Sequence, residues 1–240
     1  MLKSKVFQIP TERRYFAEPW SPEATLVDDL PAVPALSQTL LLMELKLHEF
    51  SIDLHEISQL VLGDPGATLQ ILRLAAHEYG AADGRPVRIE DCISDFGLDA
   101  CLRAAGQTAP HSNTYQRCIF EAWSHSLQIA QGCKSLAGTT AGWINPDDAW
   151  LVGLVHMLGQ MPGILGWQWD GGSKGWAEQG LRLAEHWRLP LCVQEFFAEM
   201  LQSRTEARWA GLVRRAHALV PRSMQCPLCD KPGLQLHRRA

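Results

Sequence analysis

The chain has 240 residues, 46% hydrophobic and 20% charged, enough to bury a substantial core as one large domain or two small ones. Its net charge of −4 is too small to name a partner, but the sign shifts along the chain: 14 acids against 4 Lys/Arg over residues 21–100, 2 against 8 over residues 201–240. No apolar run reaches the roughly 18 residues of a membrane span, and MLKSKVFQIPTERRYF lacks the apolar stretch of a secretory signal. Of the seven cysteines, Cys92, Cys101, Cys133 and Cys192 fall within helical apolar patterns, and Cys118 lies in a similar context. With no even framework of loop cysteines, the expectation is a soluble protein of a reducing cytoplasm.

Residues 1–25 read as an irregular arm, because Pro10, Pro19 and Pro22 prevent a long helix. Helices follow. Pro34 suits the first turn of a helix ending near His48, with Leu36, Leu40, Met43 and Leu47 on one face. Asp53 and Glu56 make a capping-box-like start for a helix through Leu62. Asp64-Pro65 repeats the signal for a helix carrying Leu69, Leu72 and Ala76. After a loop over 80–86, a short helix through Ile89 and Ile93 ends at Gly97, a natural left-handed C-cap. Residues 98–108 form another.

Residues 109–115 mark the clearest break. Beyond it a long helix over 116–137 places Ile119, Trp123, Leu127 and Ala130 on one buried face. Asn145-Pro146-Asp147-Asp148 starts a helix with Trp150, Leu154 and His156. A Gly- and Trp-rich loop over 163–175 precedes helices over 176–187, 190–201 and 206–220. Strand-like alternation bounded by hairpin turns is almost missing, so the fold class expected is all-α.

Five stretches in this order resemble the HDOD family, the degenerate, regulatory branch of the HD-domain phosphohydrolases. They are DLPAVP at 29–34; ISQLVLGDPGATLQILRL at 57–74 with Tyr79-Gly80; Arg85-Pro86-Val87 with Ile89 and Ile93 to Gly97-Leu98; Trp123-Ser124-His125-Ser126 with AWLVGLVHMLG at 149–159; and LAEHWRLP at 183–190. The resemblance covers residues 26–200. It implies a helical bundle in which an N-terminal subdomain (26–110) packs on an HD-like subdomain (111–220), followed by a Cys-bearing tail (221–240).

In active HD enzymes the resemblance implies a metal held by a histidine on one helix, a His-Asp doublet on another and a later Asp. His125 matches the first histidine and His156 the doublet's histidine, but the doublet's second position is Met157. A thioether is a poor ligand for the hard cations that activate water. The further histidines of fuller sites, near Gly175-Trp176 and near Ala198-Glu199, have no counterpart, and Glu195 and Glu199 have no spacing that argues for either as the later Asp. His125, His156 and Met157 are therefore expected to be a vestigial site, with polar residues hydrogen-bonded in an apolar helix interface and no phosphodiesterase activity.

Cys226-Pro227-Leu228-Cys229 is the one short motif with metal spacing. A zinc there would be completed by His237 or by another subunit; the other reading is a flexible tail with exposed thiols. Redox catalysis lacks the surrounding βαβ pattern. Arg214, Arg215, Arg222, Lys231, Arg238 and Arg239 flank the motif, without the aromatic interleaving of a nucleic-acid surface. Trp167, Trp169 and Trp176 would line an interaction surface or close over the old pocket. The function expected is a non-catalytic signalling or regulatory protein working through protein partners. The resident cofactor is none, or zinc at the CxxC, and the oligomeric state is open. Two rivals remain: a metal-dependent phosphohydrolase with a rearranged site, and a nucleic-acid-associated module using the basic end.

Overall fold

The helices begin where a short side chain meets backbone amides that have no partner within the helix. The Asp53 carboxylate accepts from the amides of His55 and Glu56 (2.9 and 3.3 Å), and the Asn145 side chain accepts from that of Asp147 (2.9 Å). Asp64 serves two segments at once. Its carboxylate accepts from Ala67 in its own helix (3.1 Å) and from Leu36, 28 residues earlier (2.8 Å).

The computed structural model describes residues 33–51, 53–79, 88–107, 113–139, 144–165, 175–202, 207–221 and 226–229. The helices in order are α1 (Ser37–Leu47), α2 (Leu54–Leu62), α3 (Pro65–Tyr79), α4 (Ile89–Phe96), α5 (Leu98–Ala105), α6 (Asn113–Thr139) and α7 (Pro146–Val155). A 3₁₀ turn (Leu158–Gln160) leads to α8 (Met161–Leu165), α9 (Trp176–His186), α10 (Leu191–Gln202) and α11 (Arg208–His217). Among the described residues there is no strand, and the fold is all-α as expected. Gly97 closes α4 as expected, but not in the left-handed helical conformation of an ordinary C-cap: at φ +82° and ψ 155° it is extended with positive φ, still a backbone that favours glycine.

One start lies elsewhere than expected. Pro34 sits in an extended lead-in, and α1 begins at Ser37. The reason is tertiary: Asp64 takes the Leu36 amide, and that bond holds Leu36 extended (φ −75°, ψ 137°) as the residue before the helix.

Buried side chains from α1 to α11 form one continuous core. At its centre Trp123 of α6 is buried and donates its indole N–H to the Leu62 carbonyl at the end of α2 (2.8 Å), joining the earlier helices to the later ones. At 1.5 Å per residue, the 27 residues of α6 span about 40 Å. This helix is the spine against which α7, α8 and α11 pack, with α9 and α10 behind them.

Candidate functional site

Two close helix crossings bring three histidines together. At Gly153, α7 approaches α6 so nearly that a β-carbon would stand 2.6 Å from the Ala130 Cα. His156 follows three residues later, at the end of α7. At Gly132, α6 admits α11: a β-carbon there would meet the Ala216 Cβ at 3.2 Å. The residue after Ala216 is His217, and His125 comes from α6 itself. The ring centroids of His125 and His156 are 5.6 Å apart, those of His125 and His217 5.2 Å, and those of His156 and His217 4.9 Å.

Backbone carbonyls fix two of the rings. Nδ1 of His156 lies 2.7 Å from the Gly153 oxygen, and Nδ1 of His217 lies 2.8 Å from the Val213 oxygen. A carbonyl only accepts, so Nδ1 carries the proton in both rings, and Nε2 presents a lone pair to the cluster. Burial, reinforced by the neighbouring His217, lowers the His125 pKa to about 4. Burial also holds His156 and His217 below the usual histidine range. Near neutral pH the three rings are uncharged.

The tail closes the cluster. Cys226-Pro227-Leu228-Cys229 is a tight turn in which the Cys229 amide donates to the Cys226 carbonyl (3.0 Å), with proline where its fixed φ suits the turn. Sγ of Cys226 stands 3.2 Å from Nε2 of His217 and 3.6 Å from Nε2 of His156. Sγ of Cys229 stands 3.8 Å from Nε2 of His125. Donor atoms of His125, His217, Cys226 and Cys229 all lie within 4.8 Å of one another. Burial pushes the Cys226 thiol up to about 12, while hydrogen bonds from the Leu228 and Cys229 amides favour its thiolate.

Met157 lies beneath this turn. It is fully buried with Ala122 and Cys226, and Ile164 and Leu228 pack against the three. The two carboxylates considered for the centre are engaged elsewhere. Glu195 accepts the indole N–H of Trp209 (2.8 Å). Glu199 accepts the amides of Arg208, Trp209 and Ala210 at the start of α11 (3.1, 2.8 and 2.8 Å). The one metal-capable cluster found among the described residues contains nitrogen and sulfur donors and no carboxylate. Such a set suits a thiophilic ion and does not suit the oxygen-preferring cations of phosphoryl transfer.

His125, His156 and Met157 thus meet as their order along the chain suggested, and Cys226 and Cys229, expected in a separate tail, join them. His237 lies outside the described residues; the nitrogens facing the two sulfurs belong to His125, His156 and His217. His217 was not anticipated. Its signal was a histidine in the last turn of an amphipathic helix, nine residues before Cys226. Trp167 and Trp169 also lie outside the described residues. Trp176 opens α9, half-buried, and packs edge-on against Phe197 with centroids 6.0 Å apart.

Among curated proteins no match to the sequence was found. Two crystal structures of the MmoQ response regulator from Methylococcus capsulatus (Bath) share the fold. One, of a fragment, has a TM-score of 0.54 at 20% identity, covering 78% of this chain and 81% of that one. The other has a TM-score of 0.55 at 20% identity, covering 78% and 83%. An HDOD domain protein of unknown function from Geobacter sulfurreducens aligns at 23% identity over 82% of this chain and 74% of its own, but with a TM-score of only 0.31. The family model described as the HDOD domain matches residues 30–165, more than half of the sequence and the whole span from α1 to α8. The chain belongs to the HDOD family.

Proposed function

We propose that this is a non-catalytic HDOD protein that regulates by binding another protein. The observation that carries this reading is the closure of the histidine centre by the chain's own Cys226–Cys229 turn, seated on Met157. Metal-assisted hydrolysis needs a coordination position open to water and carboxylates to hold a hard cation. Here a buried thioether occupies the carboxylate's place, and a sulfur occupies the approach to His156 and His217.

Two further observations support a binding role. The fold is shared with a protein named as a response regulator. On α1, Leu41, Leu42 and Leu45 stand exposed within one turn of helix, and Phe50 is exposed just beyond its end, apolar side chains of the kind that partners cover. No helix among the described residues is long and apolar enough to cross a membrane.

Purified full-length protein should leave cyclic and linear dinucleotides intact in the presence of Mg²⁺ or Mn²⁺. Turnover that disappears in His156→Ala would overturn the proposal. For the binding role, a tagged chain should retain a defined partner from its native host, and Leu41→Glu with Leu45→Glu should release it. Equal retention by that double variant would move the partner surface away from α1.

A further inference from the structure

We propose that His125, His217, Cys226 and Cys229 bind one zinc ion in a closed tetrahedral site that pins the C-terminal turn over the old HD centre. Zinc takes thiolate sulfur at about 2.3 Å and imidazole nitrogen at about 2.0–2.1 Å. A tetrahedron with those arms has edges of about 3.3 Å between nitrogens, about 3.5 Å from nitrogen to sulfur and about 3.8 Å between sulfurs. The two Nε2 atoms of His125 and His217 are 3.3 Å apart. His217 Nε2 to Cys226 Sγ is 3.2 Å, and His125 Nε2 to Cys229 Sγ is 3.8 Å. These three edges lie within about 0.3 Å of a coordination shell's, and the other three lie within 4.8 Å, close enough for the side chains to draw in around an ion.

Three features beyond spacing point to the same ligand. The His217 ring gives its Nδ1 proton to the Val213 carbonyl, an outer hydrogen bond that fixes the tautomer able to ligate through Nε2. The turn itself is held by the Cys229 amide donating to the Cys226 carbonyl (3.0 Å), which keeps both sulfurs on the side of the histidines. Two thiolates and two neutral imidazoles cancel the charge of a divalent ion, so the assembly is neutral and suited to burial beside Met157 and Ala122. Two soft sulfurs favour zinc over magnesium, manganese or calcium. With all four positions held by protein side chains, the ion has no site for water.

His156 is the neighbour of this shell. Its Nε2 faces Cys226 at 3.6 Å, but its ligand atom is not among the four lying mutually within 4.8 Å. The family match ends at residue 165, so His217 and both cysteines lie beyond it. The zinc site joins one histidine of the matched region to three ligands from outside it.

The test is the metal content of full-length protein purified without chelators, by elemental analysis. About one zinc per chain is expected, lost in Cys229→Ser and in His217→Gln and kept in His156→Gln. Unfolding of a variant would also lose metal, so the decisive measurements use the unaltered protein. Cobalt exchanged into it should give the intense visible bands and thiolate charge transfer of tetrahedral S₂N₂ coordination. A chelator should expose two additional thiols to a colorimetric reagent without loss of helical circular dichroism. Zinc below a tenth of an equivalent with no cobalt spectrum overturns the proposal, as does a spectrum without thiolate charge transfer. Zinc lost from a folded His156→Gln overturns the ligand set. Phosphodiester turnover is read separately, so the failure of one proposal is distinguishable from the failure of the other.

Discussion

Replacing Glu199 should destabilise α11 more than a change of one half-buried side chain normally does. The residue before this helix is Ala207, which makes no side-chain cap. The cap comes instead from α10: Glu199 Oε2 accepts from Trp209 and Ala210 at 2.8 Å each, and Oε1 accepts from Arg208 at 3.1 Å. Trp209 and Ala210 are buried, so their amides gain little from water when the carboxylate is removed. At about 1–3 kcal/mol for a buried donor left without its partner, the two amides together put the cost of Glu199→Ala at about 2–6 kcal/mol. Glu199→Gln keeps one oxygen for the two buried amides and loses the bond to exposed Arg208 along with the charge at the helix N-terminus. Its cost should be about 1 kcal/mol. For a chain of this size, about 3 kcal/mol corresponds to a Tm lower by roughly 6–12 °C. Urea unfolding followed by far-UV circular dichroism measures both variants. The reasoning fails if Glu199→Ala lies within about 0.5 kcal/mol of the parent, the range of an ordinary surface change, or if Gln costs as much as Ala.

Other perturbations have equally direct readouts. Gly159→Ala would place a β-carbon 1.8 Å from the Trp176 carbonyl oxygen, so backbone must move; a loss of about 3 kcal/mol is expected in denaturant melts, the upper end for overpacking. Trp123→Phe deletes the indole N–H held by Leu62 and should cost about 1–3 kcal/mol, with a slope in urea that reports whether the two ends of the core still unfold together. Burial pushes the thiols of Cys101, Cys133 and Cys192 up to about 12 and raises Cys92 further. Because the folded thiols stay protonated at pH 8, none of these four should react with a thiol reagent until the protein unfolds; native labelling mapped to any of them by mass spectrometry would contradict their burial.

What could be read in the sequence follows from how locally each feature is determined. Asp53, Asp64-Pro65 and Asn145-Pro146 start their helices as expected, because a cap is settled within three residues. The start of α1 was misplaced because Leu36 answers to Asp64, 28 residues away. The cap of α11 was invisible for the same reason, since Ala207 carries no signal and Glu199 belongs to another helix. His125, His156 and Met157 could be grouped from the family's order of motifs. His217 could not, because its place depends on α11 crossing α6 where Gly132 faces Ala216. His237, the nearest histidine after the CxxC along the chain, lies outside the described residues; the nitrogens that face the sulfurs among the described residues come from His125, His156 and His217, which no local spacing connects to the motif.

The methionine in the His-Asp doublet and the cysteine turn are best understood as one change. A site that had only lost its carboxylate should regain some function when the carboxylate returns. Met157, however, is fully buried against Cys226 and Ala122, and Leu228 seals the same apolar contact. An aspartate there would set a negative charge in a place closed to water, beside a Cys226 sulfur that is itself a thiolate in the proposed zinc site, a costly arrangement for either group. Met157→Asp should therefore free the turn, making Cys226 and Cys229 reactive in the native protein, and should restore no hydrolysis. Phosphodiester turnover in this variant, with both thiols still protected, would mean that the centre is an HD site short of one ligand. Reactive thiols without turnover would mean that the old histidines now serve to hold the C-terminal turn in place.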